Sequence, residues 1–214
     1  IMKNAVIFDL DGTLWDSASQ VVRGFNDEIK NHQDTNYVLT EEILKSQMGK
    51  TAPEISKVFF PDLSEERAME LMGLCAKRER EYLAQYGGKL FPKLEDGLKS
   101  LKEMGLHLYI ISNCECGYIE TFLQAHKLGA YFEDIECHEN TGLTKGENIK
   151  LLSKRNNLDK AMYVGDTQGD CNASHFAGVP FVYAKYGFGN ADKPDYVIDS
   201  FFQIVNIAKE YYNL

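Results

Sequence analysis

No apolar run in this chain approaches the ~20 residues that a membrane-spanning helix requires. Nor do lysines and arginines gather into a stripe, and the formal net charge is -9. Nucleic acid and anionic membrane are therefore not expected as partners, since both are bound through clustered positive charge. Cysteines are few: Cys75, Cys114, Cys116, Cys137 and Cys171 make an odd count without framework spacing. Cys114-Glu115-Cys116 lacks the second pair that a zinc site uses, so reduced thiols of a cytoplasmic protein are expected. The opening residues meet Asp9 too soon for a signal peptide, which points to the same compartment. The five histidines are scattered and form no ligand pair, and neither a repeat nor a low-complexity tract is present. What is there is ordinary for a soluble globular protein: 214 residues, 44% hydrophobic and 26% charged, enough for one core plus an insertion. Small phosphorylated metabolites stay open as partners, because a local metal and one or two lysines outweigh a global negative charge.

The stretch from Ala5 to Leu14 organises the rest. Val6, Ile7 and Phe8 run as a buried strand into Asp9-Leu10-Asp11-Gly12-Thr13, where the glycine permits a tight loop. Open α/β sheets place their chemistry at such carboxyl ends of strands. Two acids one residue apart lean toward one mouth, with α-carbons ~6 to 7 Å apart in strand geometry. At that separation two ionised carboxylates repel by roughly 2 to 3 kcal/mol at an effective dielectric near 20, which calls for a cation or a shared proton. A divalent metal is the simplest answer. Asp and Gly are also ordinary turn residues, so a solvated edge turn is the plainer alternative.

After this strand no strand-like run is expected until about Leu106. Val21, Val22, Phe25 and Ile29 recur at helical spacing; Thr40 caps a second helix, Thr51 to Phe60 forms a third, and Ser64 opens a fourth that runs to about Tyr86. Residues 18–86 thus read as an all-helical insert, with Gly87-Gly88 as the hinge back. Residues 1–17 and 87–214 then form a core in which strands alternate with helices, the pattern of a parallel sheet with right-handed crossovers. The closing helix is expected from Phe201 to Tyr211.

Two later strand ends carry polar loops. Ser112-Asn113 offers a hydroxyl and an amide that suit a phosphate oxygen, or equally a helix N-cap. Gly165-Asp166-Thr167, followed by Asp170, supplies a second acidic pair, and hard oxygen ligands from two strand ends make a magnesium site. Between them Lys145, at a loop-to-helix junction, would neutralise a phosphoryl group or lock a carboxylate, although a lone lysine is usually a solvated surface residue. In the insert, Met48-Gly49-Lys50-Thr51 is the loop expected to dip toward the site, with Lys50 meeting an acidic leaving group or standing in solvent. Trp15 and Phe188 are placed at the mouth, or in packing.

Phe8-Asp9-Leu10-Asp11-Gly12-Thr13, Ser112-Asn113, Lys145 and Gly165-Asp166-Thr167 with Asp170 resemble the four ordered motifs of the haloacid dehalogenase superfamily. The match spans Val6 to about Asp170 and leaves room for the helical cap of the phosphoglycolate phosphatase-like branch. Gly146 departs from the proline that many relatives carry after the lysine. The resemblance implies a Rossmann-like three-layer α/β core with an inserted helical cap. It implies a magnesium-dependent phosphatase acting on a small phosphomonoester, phosphoglycolate-like or a sugar phosphate, as a monomer or homodimer. In that reading Asp9 is the nucleophile that forms an aspartyl-phosphate, and Asp11 is the general acid and base. Magnesium is held by the carboxylates of Asp9 and Asp166 and the main-chain carbonyl of Asp11, with Asp170 behind that shell. Thr13, Ser112, Asn113 and Lys145 grip the phosphoryl group. An intramolecular phosphomutase of the β-phosphoglucomutase kind and a non-catalytic binding module are the alternatives, the second opposed by the intact acids.

Overall fold

The computed structural model describes residues 3–214. A six-stranded parallel sheet forms its centre, in the order β5 (Asp134–Cys137), β4 (His107–Ser112), β1 (Asn4–Phe8), β6 (Lys160–Gly165), β7 (Phe181–Ala184), β8 (Tyr196–Ile198). Strand β1 buries both faces, with Val6 and Phe8 on one side and Ala5 and Ile7 on the other. Leu98 and Leu101 of α5 (Leu94–Glu103) and Ile204 and Ala208 of α10 (Ile204–Tyr212) share the first cluster. Ile149 and Leu152 of α8 (Lys145–Arg155) and Cys171 of α9 (Gln168–Ala177) share the second. Helix, sheet, helix is the three-layer order read from the sequence. Phe8 lies opposite Ile110 on one neighbour and Val164 on the other, so the loops after β1, β4 and β6 leave the sheet side by side. The strand order reverses its direction of growth at β1, and a crevice opens there.

Residues 18–86 hold four helices: α1 (Ala18–Ile29), α2 (Glu41–Gln47), α3 (Ala52–Phe59) and α4 (Glu65–Tyr86). Thr40 and Ser64 cap α2 and α4, each side chain accepting the N–H three residues on. Helices α1 and α4 approach closely at Gly24, where a Cβ would stand 2.7 Å from the Glu79 α-carbon. A cluster of Phe25, Tyr37, Phe59 and Phe60 fills the cap interior. No helix among the described residues is long and apolar enough to cross a membrane.

The sequence reading needs three corrections. A two-residue strand β2 (Trp15–Asp16) pairs antiparallel with β3 (Lys89–Leu90), so both crossings into the cap are strapped together where no strand was expected. Trp15 is fully buried against Tyr118, Phe122 and His126, which settles it as packing, one of the two places the sequence left open. Its ring also explains Gly88, whose added Cβ would stand 2.6 Å from Trp15 Cε3. A short helix α7 (His138–Thr141) was not expected, and the closing helix begins with a 3-10 turn at Phe201–Gln203 before α10. All five cysteines are free thiols, as the spacing implied.

Candidate active site

Three carboxylates and one ammonium meet where β1 and β6 end. Lys145 stands at the start of α8, fixed there by a capping box in which Thr144 accepts from Glu147 N and the Glu147 carboxylate reaches back to Thr144. Its Nζ lies 3.1 Å from Asp9 Oδ1 and 2.6 Å from Asp170 Oδ1, with all three side chains buried. Asp170 Oδ2 accepts from Asp166 N at 3.1 Å, Thr167 N at 3.0 Å and Thr167 Oγ1 at 2.8 Å, which locks it to the first turn of α9. Asp166 Oδ2 accepts from Phe188 N at 2.7 Å and Gly189 N at 3.3 Å, while its Oδ1 is buried without a partner. The loop Gly187-Phe188-Gly189 therefore clamps this acid through its backbone, a role the sequence reading did not assign.

Gly12 explains the DxDGT spacing. Its φ is +76°, and a Cβ there would stand 2.2 Å from Asp166 Oδ2. Asp9, Asp166 and Asp170 each offer an oxygen within 4.8 Å of the others. Burial, then the charge of Asp170, pushes the Asp9 carboxyl well above its usual range against the pull of Lys145. Burial and Asp170 likewise push Asp166 up to about 7. For Lys145 burial acts downward, yet Asp170 and Asp9 hold it above its ordinary value, so it stays cationic. Three acids around one ammonium leave negative charge in excess. Hard oxygens, an orphaned carboxylate atom on Asp166 and that excess fit a divalent cation such as magnesium.

Asp11 is one residue from this cluster in register but faces the cap. Its Oδ1 accepts from Ser17 Oγ at 2.6 Å and from Tyr118 OH at 3.0 Å. Burial pushes its carboxyl up to about 6, against those two hydrogen bonds. The side chain of Asp11 is thus not among the clustered acid oxygens. Ser17 and Tyr118 were missed, for no local signal ties them to Asp11.

The remaining expected residues divide. Thr13 is fully buried with its Oγ1 unpartnered, and Ser112 is buried beside the crevice. Neither Ser112 nor Asn113 is a helix cap, because α6 (Tyr118–His126) starts five residues later behind Gly117. Asn113 Nδ2 donates to the Gly49 carbonyl at 2.8 Å, leaving its Oδ1 buried and unpartnered. The loop Met48-Gly49-Lys50 does dip onto the core, and a Cβ on Gly49 would be 3.5 Å from Thr167. Lys50 itself is exposed, with Nζ donating to Gln47 Oε1 at 2.9 Å. Phe188 sits under Lys45, whose Nζ is 5.0 Å from the ring centre and 2.9 Å from Asp16 Oδ2, so this trio joins cap to core. A cavity of about 110 Å³ lies between the two, reaching Asp9, Asp11, Ser112 and Asn113 on the core side.

The family model of the haloacid dehalogenase-like hydrolases matches residues 6–184. The chain belongs to that family and is an enzyme of the phosphatase kind. Among its relatives, a protein of Caldanaerobacter subterraneus provisionally named pyrophosphatase PpaX is 26% identical, over 96% of this chain and 94% of its own. The phosphoglycolate phosphatase of Haemophilus influenzae is 24% identical over 94% of this chain and 96% of its own. The crystal structure of CbbY from Rhodobacter sphaeroides in complex with phosphate superposes with a TM-score of 0.80 at 16% identity, covering 95% of this chain and 96% of that one, which shows the shared fold.

Proposed function

We propose that this chain is a magnesium-dependent phosphatase that hydrolyses a small phosphomonoester through an aspartyl-phosphate on Asp9. The observation that carries the reading is a buried Asp9 carboxylate, 3.1 Å from Lys145, that opens onto the same cavity as Asp11. Asp9 attacks phosphorus and the ester oxygen leaves with the proton of Asp11. Asp11 then takes a proton from the water that attacks the phosphoenzyme, which releases phosphate and restores both carboxyls. An Asp11 carboxyl held at about 6 exists in both forms near neutral pH, as a group that must give and then take a proton should. Lys145 holds the charge of the phosphoryl oxygens, and the hydroxyls of Thr13 and Ser112 with the second Nδ2 hydrogen of Asn113 donate to them and orient them.

Asp9 and Asp166, with the Asp11 carbonyl, would hold the magnesium, and Asp170 would fix Lys145 and the α9 terminus behind them. Bound there, the cation neutralises the clustered acids and the incoming phosphate. The unit taken to close over the site is residues 18–86, carried on the β2–β3 strap; closure keeps bulk water from the acyl phosphate. The five free thiols support a cytoplasmic place of work.

Magnesium-dependent release of phosphate from a panel of small esters tests the reading, with Asp9→Asn alongside. Release that stops with EDTA and in Asp9→Asn is expected. Isomerisation of β-glucose 1-phosphate without release would replace it with the mutase, and silence in both assays with magnesium bound would leave a binding module.

A further inference from the structure

The cap side of the cavity carries charges of the opposite sign to those an anionic leaving group requires. Phe25, Leu44, Phe59 and Met72, one from each cap helix, supply apolar wall, and the acids Glu79 of α4 and Glu115 of the loop after β4 stand among them. Two cations lie near. Arg80 Nη1 is spent on Glu115 Oε2 at 3.1 Å, and Lys50 Nζ is turned to Gln47. Glu79 has no hydrogen-bond or ion-pair partner among the described residues, and burial with the charges of Glu115 and Asp11 holds its carboxyl well above the usual range. A carboxylate or second phosphate on the leaving group would enter beside Glu79, Glu115 and Asp11, and the one cation among the lining residues is the solvent-exposed Lys50, hydrogen-bonded to Gln47.

Given the phosphatase reading above, on which this rests, we infer that the cap cavity selects a phosphomonoester whose alcohol is apolar in its body, carries no negative charge and presents a hydrogen-bond donor to Glu79. The shape agrees with the chemistry: about 110 Å³ admits a leaving group of several non-hydrogen atoms. An apolar wall rewards its carbon chain by exclusion of water. Glu79 is half-buried and has no protein partner among the described residues, so a donor on the substrate that meets it counts for more than another methylene.

A matched series of esters tests it: propyl phosphate, 3-aminopropyl phosphate, 3-hydroxypropyl phosphate and the phosphate ester of 3-hydroxypropanoate, with 2-phosphoglycolate, pyrophosphate and p-nitrophenyl phosphate beside them. The donor-bearing pair should exceed the carboxylate ester, 2-phosphoglycolate and pyrophosphate in kcat/KM by at least about tenfold. Glu79→Gln should erase the preference of 3-aminopropyl over propyl phosphate, chiefly through KM, with no loss of melting temperature. Should that variant not fold, Glu79→Asp, which draws the carboxyl back, should weaken the same preference. Hydrolysis with the carboxylate ester or 2-phosphoglycolate in the lead, or an unaltered ranking in folded Glu79→Gln, overturns the inference and leaves the phosphatase standing. No release from any ester, p-nitrophenyl phosphate included, overturns both.

Discussion

On the core side of the cavity Asp170 is bound through both oxygens and Asp166 through one, whereas on the cap side Glu79 stands without a partner among apolar side chains. The first set comes from loops that leave adjacent strands in register, within a few residues of the sheet. The second comes from four helices that meet only after the insert has folded. The fixed side does chemistry that all substrates share, and rigid hydrogen bonding keeps its acids in place without reorganisation. The plastic side reads the leaving group. In such folds function resides in the site and not in the architecture.

The comparison breaks most severely at the nucleophile. Asp9→Asn keeps the shape of the core side and removes its reacting oxygen, so phosphate release should fall by at least about a thousandfold. Steady-state assay checks this, with an unshifted melting curve as proof of folding. Gly12→Ala attacks the same side through the backbone: a Cβ at 2.2 Å from Asp166 Oδ2 and a φ of +76° force Asp166 to move. Activity should fall by about a hundredfold and the magnesium concentration for half-maximal rate should rise, because the substitution displaces a ligand as well as straining a turn.

Asp11 stands on the border of the two sides, and its test is one of stability. Its folded pKa, about 6, lies above the ordinary carboxylate value of 3.8, so the fold favours the protonated form. The sign follows: the contribution of Asp11 to stability is fully present below pH 4 and is lost as pH rises through 4 to 6. Asp11→Asn, without a charge to bury, should be more stable by about 2 kcal/mol above pH 6 and equal to wild type below pH 4, after discounting partial exposure. Melting curves in EDTA across that range measure it. The smallest effect concerns Tyr118, whose hydroxyl lies 3.0 Å from Asp11 Oδ1. Tyr118→Phe should lower kcat by about tenfold through Asp11 while leaving the magnesium requirement unchanged.

The two sides also differ in how much of them could be read from the sequence. Asp9, Asp11 and Asp166 stand out because each sits at or just past the end of an apolar run, where a polar residue has a local reason to be noticed, whereas Lys145 and Asp170 follow polar loops and are singled out only in the company of those acids. The caps at Thr40 and Ser64 were legible for the same reason, since their partners are three residues away. The Thr144 to Glu147 capping box is equally local, with its two members three residues apart. By contrast, β2 and β3 have two residues each and pair across the whole insert, leaving no periodicity to detect. Ser17 and Tyr118 meet 101 residues apart, and the Phe188 N–H reaches Asp166 across 22. Glu79 carries no local signal that sets it apart from the other charges of α4, and the close crossing of α1 over α4 at Gly24 places it beside the cavity.

The central claim is a covalent bond between Asp9 and phosphorus, and rapid quench of the enzyme with a radiolabelled ester tests it most directly. The account predicts label on the peptide that contains Asp9, removed by hydroxylamine as an acyl phosphate is, and absent from Asp9→Asn. Release of phosphate at the full rate with no labelled protein at any quench time, or label that persists in Asp9→Asn, would contradict it.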